Sequence, residues 1–173
     1  MWLSKMRSSR ARVIRRATVN DVPTIARIYV DCWRHTYDGI LPRAYLRQLS
    51  YSNFETFWRR TLASRGWAFI AEVDSRVAGF TSGGRSTQLD LAGGEIYVLY
   101  VLPEFQRQGL GRALFDAAHY ELARRNYRGV LARTLAMSPT RGFYERLGGR
   151  IAAERTIEIQ RVPLREFCYV WPD

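Results

Sequence analysis

Lysine is almost absent from this sequence: Lys5 stands alone beside 26 arginines. That skew reads as a chain-wide preference for arginine, not as a patch built for one partner. Cysteine and histidine are equally scarce. Cys32, Cys168, His35 and His119 form no C-x-x-C and no ligand-type spacing, so neither a disulfide framework nor a metal site is expected, and both cysteines read as packing residues. Long apolar runs are missing too. The longest, Ile96 to Leu102, falls far short of the roughly 20 residues of a membrane helix. With no apolar signal core at the N-terminus, the expectation is a cytoplasmic protein with no membrane partner.

Acidic residues are absent from the first 16 positions, where Lys5, Arg7, Arg10, Arg12, Arg15 and Arg16 stand. They hold six of the net +11 charges and leave +5 for the rest. The expected organisation is a basic, flexible arm over residues 1–12 and one domain over 13–173, a length that suits a single core. No helix-turn-helix or aromatic RNA-binding signature accompanies the arginines, so no specific nucleic-acid partner is expected.

Apolar periodicity supplies the elements. Thr18 to Asp21 caps a helix that should end near Trp33. Leu41–Leu49 and Phe54–Leu62 read as short helices, the second with Phe54, Phe57 and Trp58 inward. "WAFIAEV" and "RVAGFTSGG" form a hairpin across Asp74-Ser75, and "GEIYVLYV", apolar on both faces, reads as a central strand. A helix from Leu110 to near Asn126 follows, then the strand "GVLARTL", a short helix from Pro139 to Arg146, and two closing strands, "RIAAERTIEI" and "PLREFCYVW". The fold class is a mixed α/β layer.

Between the central strand and its helix lies "PEFQRQGLGR". Glycine-spaced amides at a helix start make a phosphate cradle. A P-loop is excluded because no Gly-Lys-Ser/Thr follows, and a Rossmann turn because Leu114 takes the place of its third glycine. An isolated Gly-x-Gly is also compatible with a purely structural turn.

Gln106-x-x-Gly109-x-Gly111, preceded by "IYVLYVLPEF", resembles the acetyl-CoA-binding motif of the GCN5-related N-acetyltransferase (GNAT) family. "PTRGFYERLGG" is similar to the family's later helix. "IRRATVNDVPTIARIYVDCWRHTYDGILP" resembles the first helix and substrate loop of one bacterial branch, and "ERTIEIQRVPLREFCYVWPD" its final hairpin. The resemblance covers nearly the whole chain from Val13. It implies a single-domain GNAT-like fold, a mixed, mostly antiparallel sheet with helices on both faces, acting with acetyl-CoA and no metal.

For the site, the resemblance implies a turn of Gln106, Arg107, Gln108, Gly109, Gly111 and Arg112 holding the coenzyme A diphosphate. It also implies a bulge near Leu99 to Val101 that frees the backbones of both residues for the pantetheine arm. Glu95 would be the general base, acting through water, and Tyr144 the general acid at sulfur. Read from the residues alone, Glu95 also suits an exposed strand-end carboxylate paired with an arginine, and Tyr144 a core aromatic on a short helix. Ser138 replaces the family's usual asparagine at a cofactor contact. Trp33 and Tyr37 would line the acceptor site, with Asp31 and Asp38 offering an acidic pocket for one ammonium, although Trp33 also suits core packing and His35 a plain surface position. The expected acceptor is the primary amine of a small molecule, attacked directly in a ternary complex. A protein N-terminus or lysine, or an acyl-CoA sensor without turnover, are the alternatives, and a homodimer is left open.

Overall fold

The computed structural model describes residues 11–172. Alternating apolar residues build one seven-stranded sheet in the order β1-β2-β3-β4-β5-β7-β6. Its strands are β1 (Arg12–Arg16), β2 (Ala68–Val73), β3 (Arg76–Arg85), β4 (Gly94–Val101), β5 (Val130–Leu135), β6 (Arg150–Ile159) and β7 (Val162–Trp171). Only β4 and β5 run parallel; every other neighbouring pair is antiparallel. The helices are α1 (Val22–Thr36), α2 (Arg43–Gln48), α3 (Tyr51–Ala63), α4 (Leu110–Arg124) and α5 (Arg141–Arg146).

Period-two alternation sends successive side chains to opposite faces. On one face Ala68, Ile70 and Phe80 pack with Val22, Ile25 and Ile28 of α1 and Trp58 of α3. On the other, Ala71, Val73 and Ala78 meet Leu110 and Leu114 of α4, while Ile96, Ala132 and Tyr169 meet Ala118 and Leu122 of the same helix. The mixed sheet with both faces covered matches the expected fold class.

Several boundaries differ for physical reasons. Thr18 and Asp21 do form a local cap, with Thr18 N–H donating to Asp21 Oδ2 at 2.7 Å, but they close a 3-10 turn over Val19–Asp21 before α1 begins. That helix runs past Trp33 to Thr36. Phe57 is 55 % exposed while Trp58 is buried, so only part of the expected inward stripe of α3 faces the core. Both cysteines are buried and unpaired.

The N-terminal reading changes most. Lys5, Arg7 and Arg10 lie outside the described residues, but Arg12 already belongs to β1, one residue inside the expected arm. Arg15 bonds Asp21 and Glu72 at 2.8 and 2.7 Å, and Arg16 bonds Glu121 at 3.2 Å. Arg15 and Arg16 are thus partnered with acids elsewhere in the sequence, Glu72 and Glu121 among them, which no local composition count reveals.

Glu121 of α4 is 2 % exposed and takes three guanidinium groups, from Arg16, Arg124 and Arg125. Burial alone would raise its carboxyl pKa, but the arginine hydrogen bonds outweigh that cost and bring it down to about 2. Asp21 is likewise held at about 2, mainly by its hydrogen bonds from Arg15. Because both values fall below those of an unfolded carboxyl, the stabilisation is full above about pH 4.5 and is lost as pH falls toward 2. Thermal melts of Glu121→Gln should show a loss of about 5 °C at pH 7. The gap from wild type should shrink between pH 4.5 and 2; a constant gap across that window counts against the ion-pair account.

Candidate active site

The site is set by where β4 stops following its neighbours. Its parallel register with β5 covers only Gly94↔Val130, Glu95↔Leu131 and Ile96↔Ala132. On the other edge, the pairing with β3 passes from Gly83↔Ile96 to Ser82↔Val98, so Tyr97 is the extra residue of a β-bulge. The bulge lies two residues earlier in β4 than the expected Leu99–Val101 position, and β4 and β5 part there.

Hydrogen-bond direction fixes which groups face the gap. Leu102 N–H reaches the Ala78 carbonyl at 2.9 Å. Alternation along an antiparallel ladder then turns Tyr100 and Val98 toward β3, and the backbones of Leu99 and Val101 toward the opening. The Val101 carbonyl accepts from Gln106 Nε2 at 3.0 Å, so Gln106 braces the strand end.

The bulge also changes side-chain faces. An unbulged strand would put Glu95, Tyr97, Leu99 and Val101 together; instead Val98 and Tyr100 join the α1 cluster, and Ile96, Leu99 and Val101 the α4 side. Glu95 opposes Leu131, one residue out of phase with Ile96, and so shares the α1 side with Tyr100. It is 1 % exposed and is bound by Arg133 Nη2 and by the backbone N–H of Thr87 at 3.2 Å.

A cleft of about 440 Å³ opens at the parting of the strands. One end is the cradle. Gly109 starts the 15-residue helix α4 at φ 84°, and no side chain caps that end. Its first amides therefore point outward without an intrahelical acceptor. A Cβ at Gly109 would stand in open space in the cradle, and one at Gly111 would come within 3.0 Å of the Phe143 ring. Arg107, Arg112 and, from α5, Arg146 line the same cleft. Pointed amides, bare glycines and three cations fit a diphosphate with a further phosphate, so the donor set suits coenzyme A. Gln108 is not in the cleft wall; its main-chain carbonyl accepts from Arg12 at 2.7 Å and its side-chain Nε2 donates to the Glu104 carbonyl at 3.3 Å.

The middle of the cleft is phenolic. Tyr144 stacks on Tyr169 with ring centroids 5.6 Å apart. Burial raises its hydroxyl well above the ordinary phenol value, with Tyr37 adding to the effect. Burial also pushes Tyr37 up to about 12, with Glu166 adding and a hydrogen bond to Tyr100 partly offsetting it. Tyr100 is raised further by the same cause. Tyr37, Tyr100 and Tyr144 thus converge as proton-bearing donors.

Other expected residues are placed differently. Trp33 is not part of the cleft wall; it donates Nε1–H to Tyr100 at 2.8 Å and meets Tyr37 edge-on at 4.8 Å. Ser138 is buried, its Oγ accepting from Thr140 N–H at 3.3 Å, and Thr140 takes the wall position. Asp31 accepts from Tyr51 at 2.7 Å and Asp38 from Arg43 at 3.1 Å, so the pair makes no acidic pocket. Sequence reasoning missed Tyr100, Arg133 and Arg146. The one available signal was Gly83-Gly84 opposite the bulge, where a Cβ on Gly83 would stand 2.3 Å from the Glu95 carbonyl oxygen.

These features are those of an acetyltransferase fold, and comparison agrees. The profile of the Acetyltransferase (GNAT) domain matches residues 64–148. The uncharacterized N-acetyltransferase YuaI of Bacillus subtilis (strain 168) is 37 % identical over 164 residues, covering 92 % of both chains. Among solved structures, the PaiA N-acetyltransferase of Thermoplasma acidophilum in complex with coenzyme A aligns with TM-score 0.73 at 16 % identity, over 90 % of this chain and 98 % of that one. The ribosomal-protein-S18-alanine N-acetyltransferase of Escherichia coli aligns with TM-score 0.65 at 21 % identity, over 94 % of each. The chain belongs to the GNAT family of acetyl-CoA-dependent N-acetyltransferases.

Gly111→Glu should abolish coenzyme A binding in calorimetry, because the new carboxylate repels phosphate and its Cβ crowds Phe143. Circular dichroism should remain that of the wild type. Binding within threefold of wild type would remove the cradle from this turn.

Proposed function

We propose that the protein transfers an acetyl group from acetyl-CoA to the primary amine of a small molecule, by direct attack in a ternary complex. The carrying observation is the parting of β4 from β5 at Tyr97, immediately before the Gly109–Gly111 cradle, with Tyr144 in the wall of the gap. Among the described residues the cleft is lined by Arg107, Arg112, Arg133 and Arg146 and by no carboxylate, which offers nothing to hold an extended basic protein surface and favours a small acceptor.

Acetyl-CoA supplies an activated acetyl thioester. The α4 amides and Arg107 and Arg112 hold its phosphates, and the Leu99 and Val101 backbones align its arm as an added strand. The amine nitrogen bonds to the carbonyl carbon, the carbon–sulfur bond breaks, and the electron pair leaves on sulfur. Tyr144 donates a hydrogen bond to that sulfur. A phenol raised by burial is a weaker acid than a thiol near pKa ~8.5, so it steadies the charge without surrendering its proton. Glu95 is separated from the cleft by Arg133, so the amine reacts as its free base and its proton leaves to water. The arginines favour that neutral form.

Tyr144→Phe should lower kcat roughly 10- to 100-fold while changing the coenzyme A Kd little, since the lost bond strengthens only as charge develops. An unchanged kcat would exclude Tyr144 from the sulfur. With any accepted amine, followed by free thiol release, kcat/KM should rise with the fraction of free amine. No falling limb should appear up to pH 10, because Tyr144 stays protonated well above its ordinary value. A falling limb near pH 9 that disappears in Tyr144→Phe would contradict the raised phenol.

A further inference from the structure

We infer that the acceptor is a primary amine that also carries a carboxylate, and that Arg133 binds this group. This rests on the acetyl-transfer reading above. Arg133 stands on β5 opposite Cys168 of β7 and lines the cleft at the strand parting. It lies on the α1 side of the sheet, with Leu131 and Glu95. Arg107 and Arg112, by contrast, sit at the start of α4 on the other side. The cation at the acceptor end is therefore separate from those at the phosphate end.

Its setting is that of a held ligand-binding group. Arg133 Nη2 bonds the buried Glu95 carboxylate and Thr87 Oγ1, the latter at 3.2 Å. Thr87 N–H in turn donates to Glu95. These contacts employ one nitrogen and fix the plane of the guanidinium, leaving Nε and Nη1 with no partner among the described residues. The side chain is 21 % exposed, and the cleft is where it emerges. A fixed, partly desolvated guanidinium is the side chain best suited to a planar oxyanion.

Charge balance points the same way. With Arg107, Arg112 and Arg146 taken up by the coenzyme A phosphates and the charge of Arg133 offset by Glu95, the acceptor end has no lining carboxylate among the described residues to hold a bare cationic amine or a polyamine. An amine with its own carboxylate instead lays that group on the free nitrogens of Arg133. Tyr37 and Tyr100 then flank the amine. Glu95 is a positioning residue that acts through Arg133.

The test uses the full chain and acetyl-CoA, following thiol release with a panel of L-amino acids, each beside its own carboxamide. At least one amino acid should exceed its carboxamide roughly 10- to 100-fold in kcat/KM, the range of a hydrogen bond between charged groups. The carboxamide has the less basic amine, so any bias runs against this result. Arg133→Gln should bring the ratio close to one, chiefly by raising KM for the amino acid, and Arg133→Lys should restore part of it. Glu95→Gln should also lower the ratio while leaving the shape of the pH profile unchanged. Coenzyme A affinity in calorimetry should be that of the wild type in all three.

Equal rates within every pair, a preference for the carboxamide, or a preference that survives Arg133→Gln overturns the inference and leaves acetyl transfer standing. So does the absence of reaction with every amino acid in protein that binds coenzyme A. Failure of the wild type to bind coenzyme A removes the acetyl-transfer reading as well.

Discussion

Everything functional in this fold depends on one incompatibility between neighbouring strands. β4 is asked to pair parallel with β5 on one edge and antiparallel with β3 on the other, and after Ile96 it keeps only the second partner. An unpaired strand edge inside a domain is costly unless something satisfies its amides. Here the edge opens into a cleft bounded by α4 and α5, which suits an elongated ligand able to stand in as the missing strand. The bulge at Tyr97 rotates the remainder of β4, so that its inward and outward side chains exchange faces within one residue.

That rotation separates two electrostatic tasks. Uncapped helix amides and the exposed Arg107 and Arg112 gather at the start of α4, an arrangement that suits phosphate charge. On the other side of the sheet, Tyr37 and Tyr100, raised by burial, and a guanidinium held by Glu95 present hydrogen atoms toward the cleft. The cleft is built to donate. Such a wall suits a reaction in which negative charge accumulates on a leaving sulfur.

Legibility from sequence followed the range of the interactions involved. The order of elements after β1, the glycine turn at the start of α4 and the short helix that carries Tyr144 were readable because each rests on local periodicity or a short motif, whereas the arginine-rich strand β1 was not expected. The face of Glu95 was not, since a single inserted residue two positions downstream reverses it, and nothing in "GEIYVLYV" marks which residue bulges. Trp33 and Tyr37 share an aromatic pattern, yet Tyr37 reaches the cleft while Trp33 braces Tyr100 from behind; that distinction depends on packing of α1 against β4. Arg133 was invisible for the opposite reason. In a chain with 26 arginines, one inward-facing arginine on a strand has no local contrast.

The contact between Arg12 and the Gln108 carbonyl joins the edge strand β1 to the phosphate loop across 96 residues of sequence. Together with Arg16 on Glu121, it fastens β1 to both ends of α4, the turn before it and its last turn. The loop's shape is thus held partly from outside, by a strand with a partner on only one side. The position of that turn is therefore coupled to the pairing of β1 with β2, a strand far from it in sequence.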